Sequence, residues 1–542
     1  MRTTAELGWR FWVDRGGTFT DVVGLSPSGE IVVRKVLSVQ PERRGDPAVR
    51  AIASLLQQPQ DVPIPPQAIS ELRLGTTVAT NALLERRGAA VLLLINAGLG
   101  DQLSLGDLHR PELFALKVER PSVLHQRVIE VSGRLAADGS ELEPLQLDAT
   151  LAQRVRDAVA DGYRSVAIAL LHSYRNPAHE EQLHQWLFGL GLDLQTISLS
   201  HRISRLPRLV PRGQTTLVEA AVAPVLRRYL DQVDAALGGA ASLRVMRSSG
   251  ALAPRSWLLA KDTILSGPAG GVVGALAVAR QALALAGLPL QPVVGFDMGG
   301  TSTDVFHAAL VDGVLRCERS PETAIAGLQL QAPMLPIHTV AAGGGSIVQF
   351  DGQRLQVGPQ SAGADPGPAA YGRGGPLTVT DANVLLGRLP IVALPPVFGP
   401  AGDAPLRHGP VRQGFARLAA AMQAQQPGIS AEQIAAGALQ VAIETMAAAI
   451  RRISIEQGHD PRQALLVSYG GAAAQHACRL AAELGMTRVL VHPLAGVLSA
   501  YGIGQAPQAL LLERPLRQPL NQELLVQIQQ HRQELVAEGL AQ

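Results

Sequence analysis

One short phrase occurs twice in this chain. Asp14-Arg15-Gly16-Gly17-Thr18-Phe19-Thr20-Asp21-Val22 stands near the start, and Asp297-Met298-Gly299-Gly300-Thr301-Ser302-Thr303-Asp304-Val305 stands far downstream. Each copy follows a short apolar run, Phe11-Trp12-Val13 or Val293-Val294-Gly295-Phe296, and leads into further β-forming residues. A strand, a glycine turn and a second strand, repeated in two halves, predict two related domains. One such phrase alone is compatible with an ordinary hairpin, with Gly for the turn and Thr for β propensity. The same residues at the same spacing in both halves go beyond that explanation.

The residue types also suggest a ligand. A glycine pair lets backbone N–H groups approach phosphate oxygens with no Cβ in the way. Thr18, Thr20, Thr301 and Thr303 can add hydroxyl donors beside Gly16, Gly17, Gly299 and Gly300. Asp14 and Asp297 stand at the mouth of each turn, where a carboxylate can hold Mg²⁺ directly or through water. Asp21 and Asp304 close the motifs. Two such hairpins facing across a cleft would bracket the β- and γ-phosphates of a nucleotide.

The remaining organisation agrees with an α/β chain. Strands are expected at 11–13, 21–25, 31–36, 91–95 and 165–171, and helices at 48–57 and 151–161. An apolar helix pattern at 215–230 tolerates Pro224. The second half again alternates, with strands at 293–296, 305–310 and 465–469 and long helices at 431–457 and 472–485. Residues 390–410, rich in Pro and Gly, read as a surface excursion. The expected domains are 1–250, 251–506 and a helical segment 507–542.

Composition excludes several classes. The formal charge is +2, and the arginines are dispersed rather than clustered, which argues against a nucleic-acid surface. Two cysteines, Cys317 and Cys478, cannot make a disulfide framework, and a reducing cytoplasm is the expected setting. No signal peptide is visible, and apolar stretches such as 89–97 and 166–171 are too short to span a bilayer. No membrane partner is expected. The histidines are not spaced as a zinc site; His476, beside Gly470-Gly471, is the one of interest, and Cys478 is expected to be buried.

Paired hairpins of this type resemble the actin-like ATPase superfamily. The words around them are narrower. Phe11–Gly24, Gly75-Thr76-Thr77-Val78-Ala79-Thr80-Asn81, Leu265-Ser266-Gly267-Pro268-Ala269-Gly270-Gly271 and Asp297–Val305 resemble the hydantoinase A/5-oxoprolinase family. Ala341–Ser346, Ala364–Pro368 and Thr380-Asp381-Ala382 do so as well, in order, over about 10–504. Val210-Pro211-Arg212-Gly213 and Gly470–Cys478 lean toward 5-oxoprolinase, although Ala474 stands where the family often has Gly.

The resemblance implies two actin-like ATPase (ribonuclease H-like) domains facing a nucleotide cleft. It implies ATP and Mg²⁺ as cofactors, Asp14 and Asp297 as catalytic and metal-organising residues, and Gly470 and Gly471 beside the adenosine. It also implies activation of a cyclic amide for ring opening, with 5-oxo-L-proline the first expectation and a hydantoinase-B-type half as partner. Self-association is left open. Gly344 and Gly345 read equally as a phosphate-facing nest or a plain turn. Thr76, Thr77 and Asn81 lie at a strand's carboxyl end, a weak indication of substrate contact. Asp381 reads equally as a substrate residue or a helix N-cap. The alternatives are an N-methylhydantoinase or ketone carboxylase subunit and a non-catalytic actin-like nucleotide switch. Relatives of the family usually continue into a further β-rich domain, so this chain is expected to lack that part.

Overall fold

The computed structural model describes residues 8–17, 19–38, 45–59, 62, 64–107, 114, 116–117, 123–238, 242–394, 396–400, 403–516 and 518–541. The chain forms two compact units. The first gathers residues up to Gly267, Arg319–Leu335 and the chain from Ala506 onward; the second gathers Pro268–Glu318 and Pro336–Gln505.

In the first unit the strands of the two main sheets are β1 (Trp9–Arg15), β2 (Phe19–Leu25), β3 (Ile31–Leu37), β4 (Ile69–Thr76), β5 (Val91–Asn96), β6 (His125–Val131), β7 (Ser165–Ala169), β8 (Thr196–Leu199), β9 (Ser242–Met246) and β10 (Leu252–Pro254). One sheet runs β10-β9-β4-β1-β2-β3. Its β1–β2–β3 part is an antiparallel meander, and β4 pairs parallel with β1 on the other side. A second sheet, β8-β7-β5-β6, is wholly parallel. Its central strand β5 is buried at every position, as its unbroken Val-Leu-Leu-Leu-Ile run requires.

Helices α1 (Val78–Leu84) and α2 (Leu209–Ala236) pack together in this unit. The 319–335 segment returns here because Gln329 and Gln331 donate their backbone N–H groups to Gln214 and Thr215 of α2, at 2.8 and 2.9 Å. The chain after Ala506 returns through Leu252, whose N–H bonds the Pro507 carbonyl at 2.8 Å. Helix Gln522–Ala541 is held by an Arg205–Glu538 pair. These long-range returns have no local signal in the sequence.

In the second unit the strands of the main sheet are β11 (Val293–Met298), β12 (Thr303–Val311), β13 (Val314–Arg316), β14 (His338–Val340), β15 (Leu465–Tyr469) and β16 (Val489–Val491). The sheet order is β13-β12-β11-β15-β16, with β14 also on β12. The plan repeats that of the first unit: an antiparallel meander, here β11–β12–β13, with a parallel strand, β15, on the far side of its first strand. The α/β class, with a related core in each half, is borne out.

Three expectations are corrected. Two helices do have the length and hydropathy of a membrane span: α3 (Ser266–Leu285) and the stretch Ala431–Gln457. The latter is α4 (Ala431–Ser454) with a short 3₁₀ turn, and Ile434, Leu439, Ile443, Met446 and Ile450 of α4 lie in the second unit's core. Its apolar face is therefore explained by packing. The long helix expected at 472–485 is a 3₁₀ turn, Ala473–Gln475, followed by a shorter helix, Ala477–Glu483. The break follows from Ala472, whose N–H is drawn to the Met298 carbonyl at 2.9 Å. Cys478 is exposed rather than buried.

Candidate functional site

Each unit carries one glycine turn, and the two turns are built alike. In the first, β1 and β2 bring Asp14 opposite Asp21 and Arg15 opposite Thr20. The turn closes with the Gly16 N–H on the Phe19 carbonyl at 3.0 Å. Thr18 lies outside the described residues. In the second, Asp297 stands opposite Asp304 and Met298 opposite Thr303, and the Gly299 N–H reaches the Ser302 carbonyl at 3.0 Å.

The threonines at the two equivalent positions face inward. Thr20 is fully buried and bonds Ser38 Oγ at 2.9 Å; Ser38 in turn donates to the Gly16 carbonyl at 2.7 Å. Thr303 is also fully buried and donates to the Ala342 carbonyl at 2.5 Å. Both hydroxyls brace their turns and do not present donors to a phosphate. Asp21 is engaged by Lys35 at 2.6 Å, and Asp304 accepts from Thr339 Oγ1 at 2.6 Å. Burial raises both carboxyl pKa values, while Lys35 and Thr339 respectively pull them back. The nucleotide-binding expectation for these four side chains is therefore revised to a supporting role.

What remains open differs in kind. Gly17 and Gly300 are exposed, and a Cβ on either would meet nothing within 4 Å. Thr301 is exposed too. Asp14 Oδ1 is sealed from solvent with no hydrogen-bond partner. Burial, and secondarily the charge of Asp21, push the Asp14 carboxyl up to about 7, with Lys35 opposing. Asp297 is half-buried.

Two glycines make room for these two carboxylates. A Cβ on Gly267 would stand 2.8 Å from Asp14 Oδ1. Gly470 has φ +88°, and its Cβ would fall 2.2 Å from Asp297 Oδ1. Gly470 thus lets the chain leaving β15 pass against Asp297, whereas Gly471 is exposed with open space around it. Gly344 and Gly345 donate their N–H groups to the carbonyls of Gly299 and Gly300, at 3.0 and 2.6 Å. These amides shape the second turn and leave no phosphate nest.

Thr76, Thr77 and Asn81 serve the first turn in the same way. Thr77 gives both its N–H and its hydroxyl to the Arg15 carbonyl at 3.0 Å. Thr76 is buried and its backbone is clasped by Ser266 Oγ. The Asn81 amide lies 3.5 Å from the Thr77 hydroxyl. Asp381 is wholly buried and accepts from the backbone of Ala369, Ala370 and Thr378 and from the Thr378 hydroxyl, at 2.7 to 3.1 Å. Thr378 is the N-cap of helix Val379–Leu385 and Asp381 is the third helical residue that completes its capping box, so Asp381 caps the helix start from inside rather than as the N-cap itself.

Sequence reasoning missed Gly267, Ser266, Ser38 and Lys35. The first two lie within Leu265–Gly271, noted for its resemblance alone, and the contact with Asp14 is remote in sequence. His476 is buried, with Nε2 3.3 Å from the Asn383 amide, and burial holds its imidazole down to about 4.

Mg²⁺ fits the donor chemistry here. Asp14 offers a hard, unsatisfied, buried oxygen, and carboxylates are what this ion prefers. Among the described residues no three metal-ligating side chains gather, so such an ion would draw most of its ligands from water and phosphate.

Residues 10–187 match the hydantoinase/oxoprolinase N-terminal region, and residues 212–510 match the hydantoinase/oxoprolinase domain. The chain belongs to the hydantoinase/oxoprolinase family. Among relatives in this family, 5-oxoprolinase 1 of Arabidopsis thaliana is 40% identical over 93% of this chain. The chain spans 42% of that protein's length. Caprolactamase subunit alpha of Pseudomonas jessenii is 34% identical, covering 91% of this chain and 70% of its own length. The crystal structure of ATP-dependent caprolactamase from the same organism superimposes with a TM-score of 0.78 at 32% identity, covering 98% of this chain and 76% of the other. A nucleotide-free acetone carboxylase structure shares the fold, with a TM-score of 0.72 at 24% identity, over 92% of this chain and 70% of the other.

Proposed function

We propose that this hydantoinase/oxoprolinase chain binds ATP with Mg²⁺ and uses it to activate the carbonyl of a cyclic amide for hydrolytic ring opening. The observation that carries this reading is the doubled turn, with a recessed aspartate and an open glycine in each copy. The named activities of the relatives, 5-oxoprolinase and ATP-dependent caprolactamase, support the lactam class. Within that class, 5-oxo-L-proline, giving L-glutamate, is the first substrate to test.

A lactam carbonyl is a poor electrophile. Moving the γ-phosphoryl of ATP onto the amide oxygen makes an imidate phosphate and releases ADP. Water then adds to the activated carbon, the ring C–N bond breaks, and the nitrogen leaves as the amine. A second water releases phosphate from the acyl phosphate, so one lactam, one ATP and two waters give amino acid, ADP and phosphate.

Phosphoryl transfer asks mainly for positioning and charge neutralisation. The backbone at Gly17 and Gly300 can approach phosphate oxygens, and Thr301 can donate a hydroxyl. Asp14 and Asp297, each at its own turn, would offer carboxylate oxygens to Mg²⁺, which would supply neutralisation of the phosphate charge. Water attack on the activated carbon is assigned to a hydantoinase-B-type partner.

The test is a substrate-dependent ATPase assay, with and without that partner, comparing 5-oxoproline, caprolactam, N-methylhydantoin and acetone. Stimulation by 5-oxoproline is expected, and replacing Asp14 and Asp297 together by Asn should lower turnover at least a thousandfold. Stimulation by acetone alone would favour a ketone carboxylase subunit. Tight ATP binding with no turnover in any combination would favour a nucleotide switch and overturn the catalytic reading.

A further inference from the structure

A cleft of about 240 Å³ in the first unit shares no residue with its glycine turn. One wall is the amino-terminal edge of the parallel sheet: Gly88, Ala89 and Ala90 precede β5, Arg164 precedes β7 and Ser165 opens it, and Gln195 precedes β8. The other wall is α2, around Pro224, Val225 and Arg228. The two walls are tied. Pro224 lies inside α2, and the nearby Ala221 carbonyl takes the Ala89 N–H at 2.8 Å. Gly88 permits the approach, since its Cβ would stand 2.9 Å from that carbonyl.

All the charges lining this cleft are positive. Arg87 and Arg164 come from the loops before β5 and β7 and Arg228 from α2, and no carboxylate lines it. Arg164 is paired with Asp193 at 2.7 Å and Arg87 with Glu85 at 3.1 Å, but those acids are 76% and 50% exposed. Exposed pairs of this kind are weak and readily exchanged. Arg228 has no ion-pair partner among the described residues. At the cleft Ser165 is 1% exposed, and its buried hydroxyl has no hydrogen-bond partner. A buried hydroxyl left unpaired is costly, so it marks a place where a ligand oxygen is wanted.

We propose that this cleft binds a small phosphate dianion, free or as a phosphomonoester. Guanidinium groups with a hydroxyl donor match phosphate oxygens in charge and geometry. The volume lies below the roughly 300–1,000 Å³ of clefts that take drug-sized ligands, which restricts the occupant to a small anion. Bound there, phosphate would link α2 to the edges of β5 and β7.

The experiment titrates the full chain with inorganic phosphate at constant ionic strength, read by ³¹P line broadening and by thermal melting. sn-Glycerol 3-phosphate forms a parallel arm and chloride the control. Saturable binding with a rise in Tm is expected, because a ligand specific to the folded state stabilises it. Arg228→Gln and Arg164→Gln, both at solvent-accessible side chains, should each weaken affinity at least tenfold while leaving the phosphate-free Tm unchanged. Tighter binding of the phosphomonoester would identify a metabolite as the occupant, and tighter binding of inorganic phosphate the free ion. Saturable binding that both variants leave intact would overturn the proposal, as would a phosphate response no larger than that of chloride.

Discussion

Gly470 shows how much of the second turn depends on a missing atom. Its left-handed backbone would cost an L side chain roughly 1–2 kcal/mol. In addition, a methyl there would sit 2.2 Å from Asp297 Oδ1. Gly470→Ala should therefore lower the urea midpoint and reduce ATP turnover at least tenfold. Gly471→Ala, in open space, should stay within about 0.5 kcal/mol of the wild type. Equal effects of the two substitutions would contradict the role given to Gly470.

His476 carries a pH dependence of definite sign. Burial first, then Arg388 and Arg479, hold its folded pKa at about 4, below the ordinary 6.5. The folded state thus binds fewer protons than the unfolded chain. The contribution is complete above pH 6.5 and is lost as pH falls through about 4. Asp381, raised to about 6, and Asp14, raised to about 7, act oppositely: their contributions are complete below about 4 and lost as pH rises through those values. A comparison of wild type with His476→Gln cancels the carboxylates. The variant should lose less stability between pH 6.5 and 4, measured as the urea midpoint at each pH.

At the scale of elements, the two β-hairpins were legible because their chemistry is local. Apolar runs, a glycine pair and β-branched residues announce a strand–turn–strand within a dozen positions. The bracing around them was not legible. Ser38, Ser266 and Gly345 reach the turns from other parts of the chain, and the inward rotation of Thr20 and Thr303 depends on which face of each strand is buried.

Asp381 shows the same limit within one helix start. A Thr-x-x-Asp pattern fits a cap, but only the fold reveals that the same carboxylate also gathers the N–H groups of Ala369 and Ala370. Asp381→Ala should destabilise the chain by about 2–4 kcal/mol, since it removes a cap and strands buried donors. Asp381→Asn should recover part of that loss in the same denaturation assay. A change below 0.5 kcal/mol would show that the clamp is not structural.

For the whole molecule, the repeated phrase was a sound guide to the repeated plan. β1–β2 with β4, and β11–β12 with β15, are the same arrangement of antiparallel pair and parallel neighbour. The domain bookkeeping was harder, because the chain leaves and re-enters the first unit at 319–335 and again from Ala506. Such returns are fixed by contacts like that of Gln331 with Thr215, which no window of sequence contains. The two candidate turns were legible in their glycine pairs and first aspartates, whereas Gly344 and Gly345 turned out to brace the second turn.

Lys35, which holds Asp21 beside the first turn, has a practical consequence. The sequence contains only two other lysines, Lys117 and Lys261, and Lys261 is buried against Asp262. Amine-directed acylation read by mass spectrometry therefore has very few side chains to report on. One of them adjoins the first glycine turn, so the native chain already carries a nearly site-selective chemical probe of that turn without an engineered label.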